Sequence, residues 1–321
     1  MKKILITGGA GFIGSFLANR LANENYYVDI VDNQLRGDYS RLDSKVKIHN
    51  IDLTIANELN KLPKNYDWIF HLAAVNGTDN FYTLQSKVFE VGVKSCLNIY
   101  DYFKHTDTSI IVASSAEVYQ TPAVVPTDEN VALIVPDIKN PRYSYGGSKI
   151  FSELLVMNYG LDFFKKSIIF RPHNIYGPNM GFKHVIPQLI NKIKSSQKNK
   201  KNFIDLVGSG KETRAFCYVD DIVDGLLILM EKGQDKEIYH IGNDVELSIF
   251  DLASRMTNMI DDKIEVRKGK QTHIGGTMRR CPDISKMRKL GYNPKIQINS
   301  GLEKSIEWYL KNENLSNNKL L

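Results

Sequence analysis

The sequence predicts an α/β fold, in which a doubly wound parallel sheet fills the first half of the chain and a smaller, loop-rich α/β region follows. Three observations predict it. Short runs rich in β-branched residues alternate with helix-length stretches as far as residue 175. Those runs are almost continuously apolar, as strands buried on both faces must be. A glycine-rich turn joins the first run directly to a helix-forming stretch.

The first run is Lys2 to Thr7 (KKILIT), and it feeds straight into TGGAGFIGSFLANRL. Gly9, Gly11 and Gly14 satisfy G-x-G-x-x-G, while Gly8, Gly11 and Gly14 satisfy G-x-x-G-x-x-G. In a strand–turn–helix setting such glycines permit the tight turn, let backbone N–H groups approach a pyrophosphate and let the helix pack close to the sheet. The setting is that of a Rossmann-type dinucleotide site.

The second run, Tyr26 to Asp32 (YYVDIVD), ends on an acid 18 residues past Gly14. A carboxylate there binds the adenosine ribose hydroxyls and repels a 2′-phosphate, which favours NAD over NADP. Arg36, close by, weakens that preference. The third run, Lys45 to Asp52, places Asp52 either at the adenine amino group or as a cap on the next helix. Further runs are Asp67 to Ala74 (DWIFHLAA), Ser109 to Ser115 (SIIVASS) and Lys166 to Pro172 (KSIIFRP). The ligand crevice of such a sheet lies at the carboxyl ends of its strands.

Beyond Tyr176 the pattern is irregular, with Gly/Pro turns and isolated helices at Tyr218–Gly233 and Ser300–Asn312. Residues 1–175 are therefore assigned to the NAD-binding domain, with a returning segment near 236–260. Residues 176–321, chiefly 176–235 and 261–315, are assigned to the substrate domain, and the Asn-rich tail after Lys311 is expected to fray.

Composition narrows the class. Hydrophobic and charged fractions of 42% and 24% are those of a globular chain and exclude wholesale disorder. Cys96, Cys217 and Cys281 are widely spaced and indicate neither a disulfide framework nor a zinc site, which fits a reducing cytosol. No apolar run approaches the roughly 18 residues of a membrane span. The net charge of +6 includes a basic run, Lys192 to Asn202, that lacks interleaved aromatics. It reads as a solvated loop rather than a nucleic-acid site, and the basic excess favours anionic small-molecule substrates.

The stretch YSYGGSKIFSE places Tyr145 four residues before Lys149. On a helix the two share a face. Spacing alone favours a solvated pair, because the pattern is common by accident, and the remaining motifs supply the specificity. ITGGAGFIG, VDN, IDL, HLAA, ASSAEVY, YSYGGSK, RPHNIYGP, GSGKETRAFCYVDD and RRCPDISKMRKLGY occur in this order along nearly the whole chain. Together they resemble the extended short-chain dehydrogenase/reductase family of NAD-dependent nucleotide-sugar epimerases, dehydratases and dehydrogenases.

The resemblance implies that Ser115, Tyr145 and Lys149 form the catalytic set. A phenol near pKa 10 is a poor base at pH 7, so the adjacent ammonium and the positive nicotinamide are expected to favour its phenolate. The resemblance also adds Phe12, Ile13, Asn33, Leu53, Leu72, Ala73 and Ala74 to the cofactor site of Gly8, Gly11, Gly14, Asp32 and Asp52. It places Asn76, Asn174, Lys183, Arg214 and Arg280 on a nucleotide-sugar substrate, where guanidinium forks suit diphosphate oxygens. Asp220 is expected to cap a helix and order the loop of Arg214. A homodimer through the helices after the fourth and fifth strands is implied as well.

The implied activity is oxidation at C4 of a nucleoside-diphosphate hexose or heptose, as a 4-epimerase or 4-dehydrogenase in surface-polysaccharide sugar biosynthesis. The triplet Ser115-Ala116-Glu117 leaves a 4,6-dehydratase or 3,5-epimerase open, with Glu117 as base, although Ala116 cannot supply the acid a dehydratase needs. HNIYGP with Lys183 five residues on resembles GDP-mannose 3,5-epimerases and favours a GDP-linked substrate. A non-catalytic NAD-binding regulator is the reading from another class, against which the intact Ser115, Tyr145 and Lys149 speak. Gly92, Ser95 and Gln120 depart from residues common in the family.

Overall fold

The computed structural model describes residues 1–269 and 277–314, so most of the tail expected to fray lies outside the described residues. The strands begin with β1 (Lys3–Thr7), β2 (Tyr27–Val31), β3 (Lys47–His49), β4 (Trp68–His71), β5 (Ser109–Ala113), β6 (Lys166–Pro172) and β7 (Ile175–Tyr176). They continue with β8 (Phe203–Asp205), β9 (Thr213–Ala215), β10 (Cys217–Tyr218), β11 (Ile238–Ile241), β12 (Glu246–Ser248), β13 (Glu265–Arg267) and β14 (Arg279–Arg280). The helices are α1 (Phe12–Asn23), α2 (Thr78–Thr83), α3 (Gln85–Phe103), α4 (Ser144–Leu154) and α5 (Val185–Lys198). After them come α6 (Val219–Lys232), α7 (Ile249–Ile260), α8 (Ser285–Lys289) and α9 (Ile298–Lys311).

A seven-stranded sheet of order β11-β6-β5-β4-β1-β2-β3 carries the first half of the chain, and β11 returns from the second half to close its edge beside β6. Every pairing in it is parallel. The strand order reverses between β1 and β4, which opens the crevice of a doubly wound sheet at their carboxyl ends.

The apolar runs explain why both faces are covered. Successive side chains of a strand point to opposite faces. Ile4 and Ile6 of β1 pack with Leu17 and Leu21 of α1 and Leu226 of α6. Leu5 packs on the other face with Ile69, Ile110 and the α3 residues Tyr100 and Phe103. All of these are fully buried, and each such side chain contributes about 1.5–3 kcal/mol of transfer free energy.

Helix α4 lies against α3 at close range. A Cβ at Gly92 would stand 2.5 Å from Ser148 Oγ, so the glycine at this position permits the contact. The small sheets β7/β10, β12/β9/β14 and β8/β13 belong to the second half, around α5, α7 and α9. Asp220 does not cap α6 as expected. Tyr218 holds the cap position, and Asp220 lies in the first turn without a capping bond. Its neighbour Asp221 accepts the amide N–H of Lys295 at 2.8 Å and of Ile296 at 3.2 Å, tying α6 to the strand-less segment before α9. Among the described residues no helix is long and apolar enough to cross a membrane, and no cluster of metal-ligating side chains occurs.

Candidate active site

One cleft runs along the carboxyl ends of β2, β1, β4 and β5. Its cofactor half starts at Gly8, whose φ of +68° is a left-handed conformation and whose hypothetical Cβ would lie 2.9 Å from the Ala73 backbone. Only glycine lets the end of β1 approach the His71–Ala74 segment this closely. Helix α1 begins immediately afterwards, with Gly11 at the cap position, no side-chain cap and no acid in the first turn. Its first amide N–H groups, at Phe12 and Ile13, and the positive end of its dipole are thus left for an anion.

Asp32 follows β2, and its carboxylate accepts N–H from Ala10 at 3.1 Å and from Gln34 at 2.8 Å. Burial raises its pKa against those two bonds. Asn33 donates to Asp52 at 3.1 Å. Asp52 caps no helix: its other oxygen accepts from Thr54 N–H and the Thr54 hydroxyl at 2.9 and 2.6 Å. Leu53, Leu72, Ala73 and Ala74 complete this wall. An uncapped helix start, a glycine that admits close backbone approach and an acid at the end of β2 fit a dinucleotide of the NAD type.

The reactive half stands opposite. Tyr145, Lys149 and Glu153 form one buried stripe of α4 at four-residue spacing. Lys149 Nζ donates to the Ala113 carbonyl at 2.7 Å and lies 5.8 Å from the Tyr145 ring centroid. Burial brings this ammonium down to about 8. The Tyr145 ring stacks on Phe81 with centroids 5.4 Å apart. Burial pushes its phenol up to about 12, against a hydrogen bond with Ser115 and the charge of Arg36. In the chain alone burial thus outweighs the lowering expected beside Lys149.

Ser115 caps a short 3-10 turn, Ala116–Tyr119, by accepting the Glu117 N–H at 3.2 Å. Glu117 in turn accepts from Arg280 Nη1 at 2.6 Å. Burial would raise the Glu117 pKa, and the guanidinium of Arg280, helped by Arg142 and Arg214, holds it below the usual value instead.

Asn76, Asn174 and Arg280 also line the cleft. Two expected substrate residues do not belong to its described lining. Lys183 lies 3.9 Å from Asp79 across the surface, and Arg214 bonds the Thr213 carbonyl at 2.7 Å. Sequence reasoning missed Phe81, His184 and the segment Asn179–Gly181, all of which line the cleft. No motif marks them. A buried network behind the site was missed too: Arg171 makes a two-pronged bond to Glu153 at 2.8 and 2.6 Å and contacts Tyr119, which meets His240 at 2.6 Å.

Residues 4–242 match the model of the NAD-dependent epimerase/dehydratase family. The chain belongs to that family. NAD is its cofactor. A UDP-N-acetyl-alpha-D-glucosaminuronate decarboxylase of Bacillus cytotoxicus is 31% identical over 98% of this chain and 99% of its own length. UDP-glucuronic acid decarboxylase 3 of Arabidopsis thaliana is 32% identical over 94% of this chain and 86% of its own. Among solved structures, the dTDP-glucose 4,6-dehydratase DesIV of Streptomyces venezuelae, with NAD bound, superposes with a TM-score of 0.83. It shares 26% identity and covers 99% of this chain and 100% of its own.

Proposed function

We propose that this member of the family oxidises C4 of a nucleoside-diphosphate hexose or heptose and reduces the resulting ketone on its other face, as a 4-epimerase. The observation that carries the reading is the ion pair between Glu117 and Arg280 beside Ser115 and Tyr145. NAD supplies the acceptor, and afterwards the donor, of the C4 hydride. Ser115 and Tyr145 hold the C4 hydroxyl, and Tyr145 takes its proton and later gives one back. Lys149, fixed on Ala113, lies beneath the Tyr145 ring and adds positive charge to that pocket. Phe81 stacks on the phenol and keeps water from it.

Elimination of water would need a free base for the C5 proton and an acid for the departing C6 hydroxyl. Glu117 is committed to Arg280, and Ala116 carries no acid. A ketone at C4 can still be reduced again without either group. A 4-keto hexuronate can also lose carbon dioxide without a base, because its carboxylate is β to the ketone. That second reading is favoured by the decarboxylases among the relatives.

The GDP preference implied by the sequence rests partly on Lys183, which stands off the cleft lining. The relatives are named for UDP- and dTDP-sugars, so UDP-linked sugars take first place among the substrates to assay. A cytosolic homodimer in surface-polysaccharide sugar biosynthesis completes the reading. The test is an NMR product assay over UDP-, dTDP- and GDP-linked hexoses and UDP-hexuronates, with Tyr145→Phe as control. Wild-type enzyme should give a 4-epimer, and Tyr145→Phe should turn over at least about a hundredfold more slowly while still binding dinucleotide. Near-normal turnover by Tyr145→Phe would overturn the assignment of the acid/base.

A further inference from the structure

Strand β1 lies between β2 and β4. The loops leaving β2 and β4 therefore stand on either side of the glycine loop, which leaves the end of β1. Among the described residues a hydrogen bond joins these two banks. Arg36, in the loop after β2, donates from Nη1 to the carbonyl oxygen of Asn76, in the loop after β4, at 2.6 Å. Both residues line the cleft. Leu35 packs against the apolar cluster of Val75, Phe81 and Tyr145, so the β2 loop leans across the front of the glycine loop rather than into solvent.

The Arg36 guanidinium has no anion to match it. Among the described residues no carboxylate pairs with it, its bond to Asn76 ends on a neutral carbonyl, and its buried Nε has no partner. A half-buried cation with an unfilled buried donor is costly unless an anion meets it. A guanidinium fork suits phosphate oxygens. The uncapped start of α1 offers its N–H groups to the same cleft.

We propose that Arg36 is a phosphate-binding strap, which clasps the diphosphate of NAD between the β2 loop and the Asn76 loop and slows release of the cofactor. The 2′-phosphate of NADP offers the same chemistry, but Asp32 stands at that end of β2 and opposes it. A strap of this kind keeps the reduced cofactor beside the ketosugar until the second half of an epimerisation. The inference rests on NAD binding and not on the fate of the ketone, so it stands or falls separately from the proposed reaction.

The test uses holoenzyme loaded with NADH. Release is followed by nicotinamide fluorescence after mixing with excess NAD, and competition is measured with ADP-ribose, adenosine, NADPH and UDP. Arg36→Gln should release NADH about ten- to a hundredfold faster, the range for hydrogen bonds to a charged group. ADP-ribose should lose the same factor and adenosine should lose nothing, while Arg36→Lys should recover part of the loss by restoring the charge. Thermal unfolding of both variants should match wild type. An unchanged release rate in Arg36→Gln would overturn the strap. So would equal losses for adenosine and ADP-ribose, which indicate a loosened loop. A loss confined to NADPH would move Arg36 to the 2′-phosphate, and one confined to UDP would move it to the substrate, and either outcome also overturns it. If Arg36→Gln fails to fold, Arg36→Lys alone decides, because it must release NADH faster than wild type.

Discussion

Glu117 and Arg280 meet across 163 positions of sequence, and the chemistry proposed beside Tyr145 rests on their pairing. The sequence singles out each residue, one as a base and the other as a diphosphate ligand. It does not show that they touch, because no local pattern encodes a contact of that range. The pair also sets a pH dependence. An acid whose folded pKa lies below its unfolded value, here near 4.5, adds stability that is present above that value and lost as the pH falls through the folded pKa. In Arg280→Gln burial acts on Glu117 without this guanidinium, so its folded pKa rises and its charged form costs stability as the pH increases. Urea unfolding should show a loss of about 1–3 kcal/mol at pH 7.5 and a smaller loss at pH 4. Equal losses at the two pH values would contradict the charge pairing.

Among the elements, α4 was the most legible. The four-residue spacing of Tyr145 and Lys149 places both on one stripe, and the structure adds Glu153 to it. Glu153 was not legible, because its partner Arg171 lies on β6 and both are nearly inaccessible, at 5% and 2% exposure. Their two-pronged ion pair pins the helix that carries the phenol to the sheet. Glu153→Gln leaves a buried cation unmatched and should destabilise the fold by about 3–5 kcal/mol, measured by chemical denaturation. A change below about 1 kcal/mol would place the anchoring of α4 elsewhere. The turn after Glu117 is the element that local rules misjudge. Gln120 takes a φ of +52° where glycine is at ease. Its side-chain amide donates to the Glu117 carbonyl at 2.6 Å, and its own carbonyl accepts from Thr277 at 2.9 Å. The glutamine thus binds the strained turn to the segment that delivers Arg280.

Over the whole molecule the first half was readable because its strands, apart from the short and exposed β3, are apolar runs, and its glycine turn leads straight from a strand into a helix. The second half resisted because its strands are two or three residues long, outside β11. Such short pairings are set by partners distant in sequence, not by local periodicity. Assembly belongs to this scale as well. Phe89 on α3 and Leu154 on α4 are 49% and 57% exposed, on the two helices through which the family resemblance implies dimers. Light scattering should give twice the chain mass, and Phe89→Lys with Leu154→Lys should give the monomer. A monomeric wild type would remove that expectation.

In the proposed 4-epimerisation hydrogen moves only at C4. The most direct measurement is turnover of a UDP-hexose deuterated at C4, followed by NMR in ordinary water, together with turnover of the unlabelled sugar in deuterium oxide. The product should be a 4-epimer that keeps its C4 deuterium in the first experiment and gains none at C3 or C5 in the second. Deuterium entering C5 from solvent, with loss of water or carbon dioxide, would contradict it.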